Sequence, residues 1–356
     1  MVKLTEKDIS FLEQLCTLCG PSSYEVNVQR FLAQKFSSMG LLCKGDALGN
    51  LYCSVNPGKP FRLAIIAHSD EVGLQVSSIT NDGMLRFRKL GGIKPSSLVG
   101  HKVVVFSQDH KYEGIVGCNP LQDNETENGY LVRTSDLWID IGADSREECM
   151  KWVQVGDYVT FKNDFTRLGK HKLAAKSFDD RLGLFAIVKI IEEIREKNLD
   201  IEVVAFSSVQ EEIQLRGAAA CHEPFDAAII LDTDFATDIP GESAKNGELS
   251  LGEGFGIMLN ANSNRVLQRH LLEAIKGTDI KVQQTLGVHV SGGTDAVPMQ
   301  LKHNTAVVNI CLPLRYMHTH YEICDKRDIE SAVNAVVQTI DYINQHRIIN
   351  FVPWME

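Results

Sequence analysis

Five short segments of this chain carry residue types that hold divalent metals. His68 closes an apolar run, residues 63–67, and is followed by Ser69 and Asp70. Glu211-Glu212 follows the apolar run 201–207, Asp232 closes the run 227–231, and His318 comes a short loop after the run 305–311. Asp179-Asp180 stands just before a helical apolar stripe. Imidazole with carboxylate is an ordinary ligand set for zinc, cobalt or manganese, and it needs no thiolate. Two ions held close together require a bridging carboxylate against their repulsion, one or two further ligands each, and an open position for water. His68, Asp179, Glu212, Asp232 and His318 make up that count. Asp70 could accept the second imidazole N–H of His68 and so fix its tautomer. Glu211, beside a ligand but not needed as one, could take a proton from an activated water and pass it on.

Taken one at a time, these motifs have ordinary explanations. Glu211-Glu212 reads as a solvated acidic pair, Asp179-Asp180-Arg181 as an acid-rich helix start, and His318 as a loop histidine. Their joint placement at strand ends is what points to a metal pair. Other chemistry finds no support. There is no Gly-x-Ser-x-Gly elbow and no phosphate-binding Gly-x-x-x-x-Gly-Lys-Ser/Thr loop. Gly252-x-Gly254-x-Gly256 has the wrong spacing for a dinucleotide fingerprint. Cys16-x-x-Cys19 lies on an amphipathic helical stretch with no second pair nearby, and reads as core thiols. Gly292-Gly293-Thr294-Asp295 reads as a turn, or as a wall of the cleft if the metals are there.

The elements that must position these residues are α/β in pattern. The first 40 residues predict two helices around Gly20-Pro21-Ser22-Ser23. Residues 63–67 read as a buried strand. From about 72 to 165 the texture changes to short alternating stretches broken by turn signals, with strands expected at 103–106, 130–133, 138–141 and 158–161 and a helix only near 145–152. After residue 170 helices and buried strands alternate again: a helix with Leu184, Ile187, Val188, Ile191 and Ile194 inward, strands 201–207, 227–231 and 305–311, and helices 266–275 and 327–345. In an open α/β sheet, ligands gather beyond the carboxyl ends of the strands, so five segments deliver imidazole and carboxylate to one edge. The expected fold is a mixed sheet flanked by helices, from residues 1–72 and 166–356, with a small β-barrel-like domain inserted at 73–165.

Composition narrows the class. The chain has 356 residues with 36 Lys+Arg against 46 Asp+Glu, a formal charge of −10, which argues against a nucleic-acid partner. Apolar residues at 44% and charged residues at 23% fit a globular chain. No stretch reaches the ~18 apolar residues of a membrane span, and the first 20 residues lack a signal-peptide pattern. The nine cysteines are scattered, so we expect reduced thiols and a cytoplasmic location.

Several of these motifs stand in one family's order. The chain resembles the co-catalytic di-metal aminopeptidases that assemble as tetrahedral dodecamers, the glutamyl-aminopeptidase and endoglucanase-like group. The matching stretches are Ala67-His68-Ser69-Asp70-Glu71-Val72-Gly73, Lys176-Ser177-Phe178-Asp179-Asp180-Arg181, and Val209-Gln210-Glu211-Glu212 with Leu215-Arg216-Gly217-Ala218. Leu231-Asp232 with Asp238-Ile239-Pro240-Gly241, Gly292-Gly293-Thr294-Asp295-Ala296, and Arg315-Tyr316-Met317-His318 complete the order. The resemblance covers nearly the whole chain. It implies a zinc-exopeptidase-like fold and trimming of short peptides from the N-terminus. It also implies two divalent ions per subunit, zinc or cobalt. His68 and Asp232 would hold one ion, Glu212 and His318 the other, with Asp179 bridging and Glu211 as general base. The inserted β segment would be a dimerisation domain, and the particle a homo-oligomer, a hollow dodecamer.

Two positions depart from the family pattern. Gln214 stands where the family has Gly, and Thr319-His320 replaces its usual Ser-Pro, making His320 a rival to His318. Two other readings stay open. One is a different di-metal hydrolase: a deacylase, dipeptidase or glycosidase. The other is a non-catalytic metal-binding scaffold, which Glu211 disfavours because a scaffold needs ligands but no base.

Overall fold

Four apolar runs pair side by side as parallel strands: Glu202–Ser208, Arg62–His68, Ala227–Phe235 and Ala306–Leu314. Their residues are buried on both faces, which is why they read as continuous hydrophobic runs rather than alternation. The structure is a computed structural model and describes residues 1–108, 110–119, 132–241, 247–287 and 293–355. The hairpin Cys43–Gly45 and Leu51–Val55 adds two antiparallel strands on one side of the four. Phe255–Met258, antiparallel to its neighbour, and Val282–Thr285 extend the other side to give a mixed eight-stranded sheet.

Helices cover both faces. On one lie Glu6–Thr17, Phe178–Ile194, Arg265–Ile275 and Lys326–His346, packed with the large core that includes Leu12, Phe185, Ile191, Leu271 and Val336. Glu6–Thr17 starts at a reciprocal cap in which Thr5 and Asp8 each bond the other's backbone N–H. Phe178–Ile194 is buried on nearly every side because the sheet lies below it and two helices flank it. Ala296–His303 and the short turn Arg216–Ala219 cover the other face, over Tyr52, Phe206 and Phe225.

The stretch between the second and third parts of the sheet closes on itself. Gly73–Ile79, Leu85–Leu90, Leu137–Asp140, His110–Cys118, Lys102–Ser107 and Tyr158–Phe161 form, in that spatial order, a closed antiparallel barrel. Alternate residues such as Leu74, Val76, Val103, Val105 and Ile139 fill it. The mixed sheet, flanking helices and small barrel are therefore as expected. Several details differ. The helix near 145–152 is a single turn, Arg146–Cys149. The strand expected at 130–133 falls on 130 and 131, outside the described residues, and on 132 and 133, which are not in a strand. Asp232 does not end its strand but lies within it, because parallel pairing with Ala306–Leu314 continues to Phe235. The edge strands and the three-stranded sheet of Thr166–Leu168, Lys172–Ala175 and Glu322–Asp325 were not expected; they are short and lack a clear periodicity.

One cysteine expectation is overturned. Cys43 and Cys53 form a disulfide, because the hairpin register sets them directly opposite at a Cα separation of 4.4 Å. The other seven cysteines are free. Among the described residues no helix is long and apolar enough to cross a membrane.

Candidate active site and metal centre

The carboxyl ends of the four parallel strands bring the predicted residues to one cavity of about 470 Å³, lined by His68, Asp179, Glu211, Glu212, Asp232 and His318 among others. Asp179 is at its centre. Its Oδ1 lies 3.1 Å from His68 Nε2 and its Oδ2 lies 3.0 Å from His318 Nε2. One carboxylate thus offers one oxygen to each of two imidazoles. Asp232 Oδ1 is 4.0 Å from His68 Nε2, on the first side. Glu212 Oε1 is 3.0 Å from His318 Nε2, on the second. His320, the rival, turns away and stacks on His101 of the barrel with ring centroids 4.3 Å apart.

Among the described residues, two groupings of His and acid have ligand atoms all within 4.8 Å of one another: His68 with Asp179 and Glu212, and His68 with Asp180 and Asp232. The second includes a residue not singled out as a ligand. Both Asp180 oxygens are already engaged, accepting the N–H of His68 at 3.2 Å and of Gly183 at 2.9 Å. Asp180 therefore anchors the backbone of His68. Gly183 makes this possible, since a Cβ there would lie 2.5 Å from both Asp180 oxygens. A cis peptide joins Asp179 to Asp180.

The electrostatics of the cluster fit cations. Burial pushes the carboxyls of Glu211 and Glu212 above their ordinary values, and burial with Asp179 nearby pushes Asp232 up to about 7. Burial opposes charge on His318, but Glu212 and Asp179 push its pKa up to about 12. His68 is likewise raised by Glu211, Asp179 and Asp70 against its burial. Glu212 Oε1 is buried with His318 Nε2 3.0 Å away. So many buried acids gathered in one place are costly unless cations compensate them, and the imidazole and carboxylate donors present suit two divalent ions.

Asp70 does not line the cavity and is fully buried beneath it. Its Oδ1 accepts the Glu211 N–H at 2.9 Å, and its Oδ2 accepts the Glu212 N–H at 3.1 Å and the Ser22 hydroxyl at 2.7 Å. Its carboxylate is 3.4 Å from His68 Nδ1, which lies slightly nearer the Asp70 carbonyl oxygen, at 3.2 Å. Asp70 is thus a buried brace joining the His68 and Glu211-Glu212 segments. That second segment is a turn, stapled by the Leu215 N–H to the Glu211 carbonyl at 2.8 Å, not extended chain.

Other contributors were missed from the sequence. Glu322 Oε1 accepts the His318 N–H at 2.8 Å and its Oε2 accepts the Asp179 N–H at 3.2 Å, so one side chain sets the backbone of two candidate ligands. It lies in a short strand without a sequence signature. Glu71 binds Lys176 at 2.6 Å, the barrel's Thr160 at 3.1 Å and the Gly20 N–H at 2.9 Å, tying the barrel to the segment before Asp179. Its place directly after Asp70 was the available signal. The barrel reaches the site through Gly91-Gly92, where a Cβ on Gly92 would lie 2.9 Å from His318 Nδ1. Backbone strain gathers here, with Gln210, Gln214, Leu215 and His318 all at positive φ, at a cost of about 1–3 kcal/mol each. Gln214 has φ 85°, a conformation glycine adopts freely, which accounts for glycine at this position in the family pattern.

Comparison with known proteins places this geometry. Residues 49–334 match the family described as M42 glutamyl aminopeptidase. Lysyl aminopeptidase of Pyrococcus furiosus is 31% identical over 92% of this chain and 94% of its own length. The crystal structure of a TET aminopeptidase from the marine sediment archaeon Thaumarchaeota archaeon SCGC AB-539-E09 superposes with a TM-score of 0.90 at 28% identity, covering 98% of this chain and 99% of that one. The Pyrococcus horikoshii TET1 peptidase, which can assemble into a tetrahedron or a large octahedral shell, gives 0.83 at 29% identity over 93% and 98% of the two chains. With the family pattern spanning most of the chain and the fold shared from end to end, this protein belongs to the M42 glutamyl aminopeptidase family and is an aminopeptidase, a hydrolase.

Proposed function

We propose that this aminopeptidase is metal-dependent and removes N-terminal residues from short peptides. The observation that carries this is the division of Asp179 between His68 and His318, with Asp232 and Glu212 on the two sides. His68 and Asp232 would hold one divalent ion, Glu212 and His318 a second, and Asp179 would bridge them. Two such ions supply Lewis-acid polarisation of the scissile carbonyl and an acidified water.

The chain's own residues do the rest. Glu211 lines the cavity without a ligand's placement, and its burial raises its proton affinity above that of an ordinary carboxylate. It takes a proton from the attacking water and delivers it to the leaving amine. Asp70 fixes where Glu211 and Glu212 stand by holding both of their N–H groups. Glu322 does the same for His318 and Asp179, and Asp180 for His68. Preorganisation of this kind is what lets a site act without rearranging during reaction.

The stretch 73–165 is, in this proposal, a dimerisation domain of a homo-oligomer, a dodecamer, a reading supported by the tetrahedral assembly of the Pyrococcus horikoshii TET1 peptidase. The seven free cysteines support a cytoplasmic location, with Cys43–Cys53 as the exception. The test is elemental analysis joined to an aminoacyl-anilide panel on zinc- or cobalt-reconstituted protein. Two ions per chain and release of free N-terminal residues are expected. At most one ion after saturation rejects the di-metal site, and cleavage of acylated amino acids or cellulose in place of anilides rejects the aminopeptidase reaction. A monomeric mass in light scattering, with metal present, rejects the assembly.

A further inference from the structure

The turn that carries Glu211 and Glu212 also supplies the cavity wall beyond them. The Leu215 N–H reaches back to the Glu211 carbonyl at 2.8 Å, and a turn closed in this way keeps the Cα atoms of Glu211 and Gln214 within roughly 7 Å of one another. Gln214 and Leu215 both line the cavity, and both have positive φ, 85° and 56°. At 85° any residue with a Cβ is strained, whereas glycine takes that conformation freely. The turn therefore gains nothing from glutamine here. The rest of the fold gains nothing from its side chain either: Gln214 is exposed on the cavity wall, and among the described residues its amide has no hydrogen-bond partner. The barrel comes against the same turn at Gly91, where an added Cβ would lie 3.1 Å from Glu212 Oε2, and Gly92 lines the cavity. Neither glycine adds a side chain to this end of the cavity. A free amide kept on a cavity wall at the cost of a strained backbone points to a ligand rather than to folding.

We propose that Gln214 binds the substrate's main chain just beyond the bond that is cut, its Nε2 donating to the carbonyl oxygen of the second residue. The proposal rests on Glu211 acting as the general base. A base that hands its proton to the leaving amine stands within hydrogen-bond reach of that nitrogen, about 2.6–3.2 Å. The leaving amine belongs to the substrate's second residue, so this residue begins beside Glu211. In an extended residue the N–H and C=O point to the same side. An amine that faces Glu211 therefore turns its own carbonyl toward the same stretch of wall, where Gln214 stands three positions further along the turn. A glutamine amide supplies the donor that a carbonyl needs. It carries no charge, so the contact reads the main chain and does not choose between acidic and basic side chains at the second position.

The test compares metal-loaded wild-type and variant proteins on leucine p-nitroanilide and on the tripeptides Leu-Ala-Ala, Leu-Lys-Ala and Leu-Glu-Ala. All four share a first residue, and only the tripeptides have a second residue with a carbonyl. In Q214A the ratio of tripeptide to anilide kcat/KM should fall roughly 3- to 10-fold, the worth of one hydrogen bond between uncharged groups. The factor should be the same for the three tripeptides. Q214E is nearly the same size but has no donor when ionised, so its ratio should fall at least as far. Q214G, free of the backbone strain, should match or exceed the wild-type urea midpoint. A midpoint well below wild type would make Gln214 a structural residue and overturn the proposal. An unchanged tripeptide-to-anilide ratio in Q214A also overturns it and leaves the role of Glu211 standing. A loss confined to one of the tripeptides assigns Gln214 to a side chain and overturns the main-chain contact. If the wild type, with its metals bound, cleaves neither the anilide nor the tripeptides, the reading of Glu211 fails and the Gln214 contact with it.

Discussion

Replacing Asp70 by Asn tests the brace beneath the site without touching a metal donor. The carboxylate accepts three hydrogen bonds, from Glu211 N–H, Glu212 N–H and the Ser22 hydroxyl. An amide has only one oxygen. If that oxygen stays on the Glu211 side, the amide nitrogen faces Ser22, whose hydroxyl can turn to accept, but it also faces the Glu212 N–H, which becomes a buried donor against a donor. The opposite orientation sets the clash at Glu211. One charge-assisted bond is lost either way, about 1.5–3 kcal/mol. Because the freed segment carries a candidate ligand, metal affinity should fall on the order of 10- to 100-fold, the usual effect of losing an outer partner of a ligand. Zinc occupancy across a chelator-buffered series reads the affinity, and urea unfolding of the metal-free protein reads the stability. Ser22→Ala, which leaves both N–H bonds in place, should cost less on each scale. Burial opposes the Asp70 charge, but His68, Ser22 and the Glu211 N–H hold its pKa below the ordinary carboxylate value. Its stabilisation is therefore fully present at neutral pH and is lost as pH falls through that lowered pKa, so the D70N difference should shrink in acid. D70N with a wild-type zinc midpoint and wild-type stability at neutral pH would refute the brace.

Three further outcomes are expected. Glu211→Gln should keep both metals and lower kcat on the order of 10²–10⁴-fold, whereas Glu212→Ala should lower metal content with activity following occupancy; the reverse pattern exchanges their roles. Neighbouring acids push the pKa of His318 up to about 12 and raise that of His68, so the metal-free site favours the charged imidazoles, which give up protons to ligate. Metal affinity should then rise with pH, and calorimetry in buffers of different ionisation enthalpy should show about two or more protons released; none released contradicts imidazole ligation. Gly92→Ala places a Cβ 2.9 Å from His318 Nδ1, so His318 must shift and occupancy of the Glu212–His318 side should drop; normal metal content would show that the barrel loop does not press on the site.

The sequence by itself determined the elements whose periodicity is strong and the residues that stand at their ends. The four central strands are apolar on both faces, so they show in the sequence as continuous runs, and each carries or leads to an acid or histidine that the fold brings to one cavity. The barrel shows as alternation between turn residues. Only the tertiary structure decided what lies between those ends. His318 and His320 are the same residue type two positions apart, and packing against His101 turns one of them away. Asp70 reads as a partner for His68, but its three further bonds to Ser22, Glu211 and Glu212 come from segments 48 to 142 residues distant. Glu322 joins the His318 N–H, four residues before it, to the Asp179 N–H, 143 residues away, and Gly91-Gly92 act on Glu212 and His318 far along the chain, so neither role is marked by a local pattern. Cys43 and Cys53 meet because a hairpin register aligns them. The physical reason is the same throughout: periodicity and strand ends are written in neighbouring residues, whereas hydrogen bonds to backbone, close glycine contacts and side-chain facing depend on which distant segment arrives opposite.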